Sequence, residues 1–136
     1  MKWIIVGIAI LISGTMLAQP FVDQSKEEVR TIMKEQHKDF HPDRSVVKQA
    51  YNYLKYVNNS QTITWIIYFN DQDVCTASKK VCDYSEYDFK MDELDEKYEK
   101  SGKFQWKNQY RGDEFLIRLE EQDWYFTIRE SKIKEQ

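Results

Sequence analysis

Glycine is almost missing from most of this 136-residue chain. Of its four glycines, Gly7 and Gly14 lie in the first twenty positions, leaving only Gly102 and Gly112 beyond them. A phosphate-cradling loop needs several glycines so that backbone N–H groups can approach the ligand, so nucleotide-binding loops are excluded. The Gly-x-Ser-x-Gly elbow of the α/β-hydrolases is missing as well. Positive charge is not in excess: 20 Lys and Arg stand against 23 Asp and Glu, a net charge of −3. Without a basic surplus the chain lacks the phosphate-neutralising term behind non-specific nucleic-acid binding. It also lacks a polybasic cluster for anionic lipid.

Metal-ligating and nucleophilic residues are equally few. His37 and His41 are the only histidines, with Asp43 close behind. A spacing of four places both rings on one helix face, a geometry that can bind zinc. Pro42 ends a helix there, however, and no glutamate stands between the histidines as in metalloproteases. A solvated helix end is the ordinary reading of the three residues, and a small metal-binding protein or metal-dependent enzyme the alternative. "NDQD" at 70–73 lacks the glycine and distal glutamate of a calcium loop. In "MDELDEKYEK", Glu93 with Lys97 and Glu96 with Lys100 form four-apart pairs, the pattern of a solvated helix face. No base lies near Cys75 in sequence to activate it. No catalytic residue is nominated, no cofactor is expected, and the balance is towards a non-enzymatic protein.

What the chain does have begins at its first residue. "MKWIIVGIAILISGTMLAQP" sets one basic residue, Lys2, before an apolar run from Trp3 to Ala18, the order of a secretory signal peptide. At about 16 residues the run is shorter than the roughly 20 a spanning helix needs. Cleavage is expected between Ala18 and Gln19, leaving residues 19–136 as a single domain with no membrane span. Its 19 basic and 23 acidic residues give a net charge of −4. The expected location is periplasmic or secreted.

Along that domain, "SKEEVRTIMKEQHKDF" opens with Ser25 and Glu28 in capping-box spacing. Val29, Ile32, Met33, Gln36 and Phe40 then follow one helical stripe, and Pro42 ends it. "SEYDFKMDELDEKYEKSG" repeats the plan, with Ser85 as cap, Tyr87, Met91, Leu94 and Tyr98 on one face, and Gly102 as the C-terminal stop. Period-two alternation marks "TITWIIYF", "FQWKNQY", "EFLIRLE" and "DWYFTIRE" as half-buried strands, with Trp124, Phe126 and Ile128 sharing a face. Sliding the chain by 50 without a gap lays Leu54 on Phe104, Tyr56 on Trp106 and Ile67 on Ile117. That match points to an internal duplication. It also favours a strand over a helix for 51–57, within the ambiguous stretch 45–57. The expected fold is α+β and two-layered, an antiparallel sheet with helices on one face, in the order α-βββ-α-βββ.

Cys75 and Cys82 admit two readings. Paired thiols suit an exported protein. A strand through 74–82 would instead hold them about 23 Å apart and on opposite faces, beyond bridging distance. The strand reading, with free thiols, is favoured because "TASKKV" lacks the residues of a tight turn. If "NDQD" is the hairpin turn, Phe69 pairs with Val74 and Cys75 joins Tyr68 on the face away from the helices. That open face would carry Tyr53, Tyr68, Leu116, Arg118 and Tyr125, with Ile66 and Arg129 beside them. Aromatic residues and arginine are enriched where proteins grip partners. A protein or envelope component is the expected partner.

The repeated helix-plus-strands unit, opening with Ser25, Glu28 and Val29 in "SKEEVR", resembles the SmpA/OmlA-like and β-lactamase-inhibitor-protein-like envelope domains of Gram-negative bacteria. Their units begin with a Thr/Ser-x-x-Glu-Val helix and continue as an antiparallel meander. Where they usually carry Gly-Pro after the helix, this chain has "KEQHKDFHPD", so no site residue is transferred. The resemblance implies a non-enzymatic protein-binding module working in the envelope.

Overall fold

A computed structural model describes residues 19–44 and 51–134. The expected signal segment 1–18, positions 45–50 of the ambiguous stretch and residues 135–136 lie outside them. Helix α1 spans Lys26–Gln36, and the Ser25 hydroxyl accepts a hydrogen bond from the Glu28 N–H at 3.2 Å. Glu27 and Glu28 place negative charge at the positive end of the helix dipole. The helix stops at His37, earlier than its apolar stripe suggested. Phe40 instead opens strand β1, Phe40–Pro42.

The second helix starts differently from expectation. Asp83, not Ser85, is the capping side chain, accepting the Ser85 N–H at 2.9 Å. It opens a 3-10 turn, Tyr84–Glu86, that runs into α2, Tyr87–Lys97. Gly102 does not end this helix. It lies in strand β5, Glu99–Gly102, and Tyr98 already has extended backbone.

The remaining strands are β2 (Tyr53–Asn58), β3 (Ile63–Phe69), β4 (Cys75–Cys82), β6 (Gln105–Tyr110), β7 (Asp113–Glu121) and β8 (Phe126–Lys132). All eight form one antiparallel sheet in the order β1-β2-β3-β4-β8-β7-β6-β5. The α+β class therefore holds, but each helix is followed by four strands rather than three. The added strands, β1 and β5, are the two sheet edges. They are too short to show alternation, and β5 is exposed at every position.

Both helices lie on one face of the sheet. Val29 and Met33 of α1 pack on Tyr56, Trp65, Ile67 and Phe69, while Leu94 of α2 packs with Trp106, Ile117, Leu119 and Phe126. Phe40 touches both clusters. The hairpin registers do not keep the ungapped 50-residue match. Ile67 pairs with Leu54 and Ile117 with Trp106, so fixing Ile67 on Ile117 puts Leu54 on Trp106, two places beyond Phe104. Because side chains alternate with period two, an even shift leaves every residue on its face.

Two details of the strand ends depart from the sequence reading. Trp124 does not join Phe126 in the core, because β8 begins only at Phe126. Trp124 sits in the preceding connection at 86% exposure. At the β3–β4 turn, the Asn70 side-chain carbonyl accepts the N–H groups of Gln72 and Val74, and Asp73 has a φ of 57°. Phe69 consequently pairs with Cys75 rather than Val74, and a bulge follows before Tyr68 meets Ala77. The extra residue reverses the phase of the strand. Cys75 thus faces the helices beside Phe69, not the open face beside Tyr68.

Both cysteines are therefore buried on the helix-facing side, at opposite ends of β4, and neither is bridged. Burial pushes the Cys75 thiol up to about 12 and Cys82 to about 11, so neither presents a thiolate at neutral pH. Iodoacetamide should leave the folded protein unmodified and alkylate both residues in urea without reductant. Intact mass reads the outcome, and a need for reductant would show a bridge instead.

Candidate binding face

Opposite the helices, the sheet surface is covered by no element among the described residues. Its side chains fall in rows, because antiparallel partners stand directly across from one another. One row runs Tyr53, Tyr68, Ala77, Ser131, Leu116 and Lys107. The next runs Lys55, Ile66, Lys79, Arg129, Arg118 and Gln105. The first row holds three of the five residues expected on this face and the second holds Arg118. Tyr125, just before β8, joins Leu116 and Arg118 around a shallow concavity of about 250 Å³. Lys79, Glu120, Thr127 and Arg129 complete much of its lining.

Electrostatically the second row is unusual. Lys79 stands across from Arg129, and Arg129 across from Arg118. Like charges directly opposite destabilise a sheet by repulsion. Some cations elsewhere on the surface are matched: Lys55 lies 3.2 Å from Asp43, Lys107 3.3 Å from Glu114, and Lys132 2.8 Å from Asp23. Among the described residues, no ion pair or hydrogen bond engages the side chains of Lys79, Arg118 or Arg129.

The helix-facing side carries a second polar feature, between the two apolar clusters. Ser78, Lys80 and Cys82 occupy the inward phase of β4, and Glu130 pairs with Ser78 across to β8. The Lys80 ammonium sits 4.2 Å from the centre of the Trp65 ring, a cation–π contact. Burial pulls Lys80 down to about 8, and burial pushes the Glu130 carboxyl up to about 7, partly opposed by the Lys80 charge. The His37 ring packs edge-on to Trp65 at 4.9 Å. Burial, then the Lys80 charge, pull it down to about 4, so it is neutral near pH 7. The Trp65 indole N–H is buried without an acceptor. Sequence reasoning did not single out this seam. Its signal was a charged residue at the inward phase of each central strand.

The three residues of the metal alternative do not converge. His37 lies in that inward seam, whereas His41 is exposed on β1 and hydrogen-bonded to the Asn59 side chain. Asp43 pairs with Lys55. Among the described residues, no group of three His, Cys, Asp or Glu side chains is placed to hold a metal ion, nor is any helix long and apolar enough to cross a membrane.

Comparison with protein-family models, curated proteins and solved structures returned no match to this chain.

Proposed function

We propose that this protein is an exported, non-enzymatic binding module that holds a protein partner or envelope component on its open sheet face. The observation that carries the reading is the face itself. A sheet of eight strands has both helices on one side and leaves the other to the Tyr53–Tyr68 pair, Leu116, Arg118 and Tyr125. Half-buried aromatics next to arginine are the side chains that contribute most to binding when a partner excludes water from them. Export rests on the first 18 residues. The plan of a helix followed by an antiparallel meander, twice over, supports kinship with the envelope domains named above and an ancestral duplication with two-residue shifts between the halves.

Photo-crosslinking tests the reading in the full chain. Benzoylphenylalanine placed at Tyr68 or Leu116 should yield one discrete adduct from cell-envelope material. Placed at Glu35 or Asp92, exposed on the helices, it should yield none. Equal adducts from both sides, or none from the sheet face, would remove the basis of the proposal. Intact mass of the recovered protein should show loss of residues 1–18.

A further inference from the structure

Resting on that reading of the open face, we infer that Lys79, Arg129 and Arg118 recognise an acidic segment of a protein partner, seating a side-chain carboxylate between the two guanidiniums. Three cations stand in consecutive cross-strand positions on β4, β8 and β7 with no anion of the fold engaging them. The fold gains nothing from this arrangement, since directly opposed like charges repel. An incoming carboxylate would reverse the sign of the interaction. Arginine suits the task because its planar guanidinium presents paired N–H donors matched to two carboxylate oxygens.

The surroundings favour a peptide carboxylate over a phosphate array. The concavity, about 250 Å³, is below the roughly 300–1,000 Å³ of small-molecule pockets and suits one or two side chains. The chain as a whole is net negative, so an extended polyanion such as a nucleic acid or an anionic membrane meets repulsion beyond the concavity, while Glu120 in its wall limits how much negative charge the site itself accepts. The adjoining row of Tyr53, Tyr68 and Leu116 offers half-buried apolar surface for the uncharged residues of the same segment.

The test uses the purified full chain and defined probes followed by NMR. The peptide acetyl-Glu-Glu-Tyr-Glu-Glu-amide should shift the side-chain Nε–H signals of Arg118 and Arg129 saturably, and the Lys-for-Glu peptide should not. Losing charge-assisted hydrogen bonds weakens binding by roughly tenfold to a hundredfold, so Arg118→Gln with Arg129→Gln should reduce peptide affinity by at least about tenfold. That variant should unfold at no lower temperature than the parent, because it relieves repulsion. Undiminished peptide binding in the variant, or no shift in the parent, overturns the inference. So does tighter binding of tripolyphosphate or of phosphatidylglycerol vesicles than of the peptide, which would mark a phosphate site, free or headgroup-borne. Adducts from Tyr68 and Leu116 that persist in the double variant would refute the carboxylate seat while leaving the binding face standing. Absence of those adducts from the parent would refute the face itself.

Discussion

Trp106→Ala should lower the free energy of unfolding by about 3–5 kcal/mol, the range for deleting a large buried aromatic. Trp106 is fully buried and packs with Leu94, Ile117, Leu119 and Phe126. Its indole N–H donates to the Asp95 carboxylate at 2.9 Å, so one side chain both fills the core beneath α2 and ties that helix to β6. The loss combines the apolar area returned to water with the cavity left where the ring cannot be replaced by collapse. For a domain with a typical total stability of about 5–15 kcal/mol, such a loss is a large fraction of the whole. Urea denaturation followed by circular dichroism measures it. Trp106→Phe should cost much less, keeping most of the volume and losing one hydrogen bond. A cost below about 1 kcal/mol for the alanine variant would contradict the packing of α2 on the sheet.

Glu130→Gln should stabilise the protein at pH 8 by about 1–3 kcal/mol and have little effect below pH 4.5. Glu130 titrates at about 7 in the folded state against an ordinary value of 4.5, chiefly because burial penalises its charge. Between those values the folded chain holds a proton that the unfolded chain releases. Stability from this group is therefore complete below pH 4.5 and is lost as pH rises through 7. Glutamine never ionises and is close to glutamate in size and shape. Lys80 acts with the opposite sign and in a different window. Lowered from 10.5 to about 8, it contributes stability above pH 10.5 that is lost as pH falls through 8. His37, lowered from 6.5 to about 4, contributes above 6.5 and loses as pH falls through 4. His37 is common to parent and variant and cancels in the difference between their pH–stability curves, whereas Lys80 feels the Glu130 charge, so the difference reports Glu130 together with its coupling to Lys80. A flat difference from pH 4 to 8 would mean that the carboxyl is solvated.

These two predictions fall on residues of unequal legibility. Trp106 was readable as core, since it alternates with Gln105 and Lys107 in a short strand pattern. Glu130 was not. It follows Phe126 and Ile128 in the inward phase, but a carboxyl at the end of a strand is more often solvated than buried. Only the junction of β4 with β8 half-buries it. The open face divides in the same way. Tyr53, Tyr68, Leu116 and Arg118 follow from alternation alone, because the sheet phase of each strand is set by its own apolar residues. That Lys79, Arg129 and Arg118 form one row depends on how β4 meets β8 and how β8 meets β7, the first pairing joining residues 44 to 54 apart in sequence. No local pattern carries that register.

The cysteines show the limit most sharply. Spacing of seven places two side chains on opposite faces of a regular strand, and a single bulge beside Cys75, set by the Asn70 turn, brings both to the same one.

By itself, the amino-acid order determined the α+β class, α1 and the residue that caps it, the core phase of the four longest alternating segments, and the absence of nucleotide and hydrolase motifs. Each depends on interactions within a few residues: a side chain reaching its own helix end, or alternation along one strand. Tertiary structure alone decided the edge strands β1 and β5, the two-residue offset between the hairpin registers, the partial burial of Glu130 and Lys80, and the unpaired cationic row. Those depend on which strands lie side by side and in what register, a choice made by the packing of the whole sheet against its two helices.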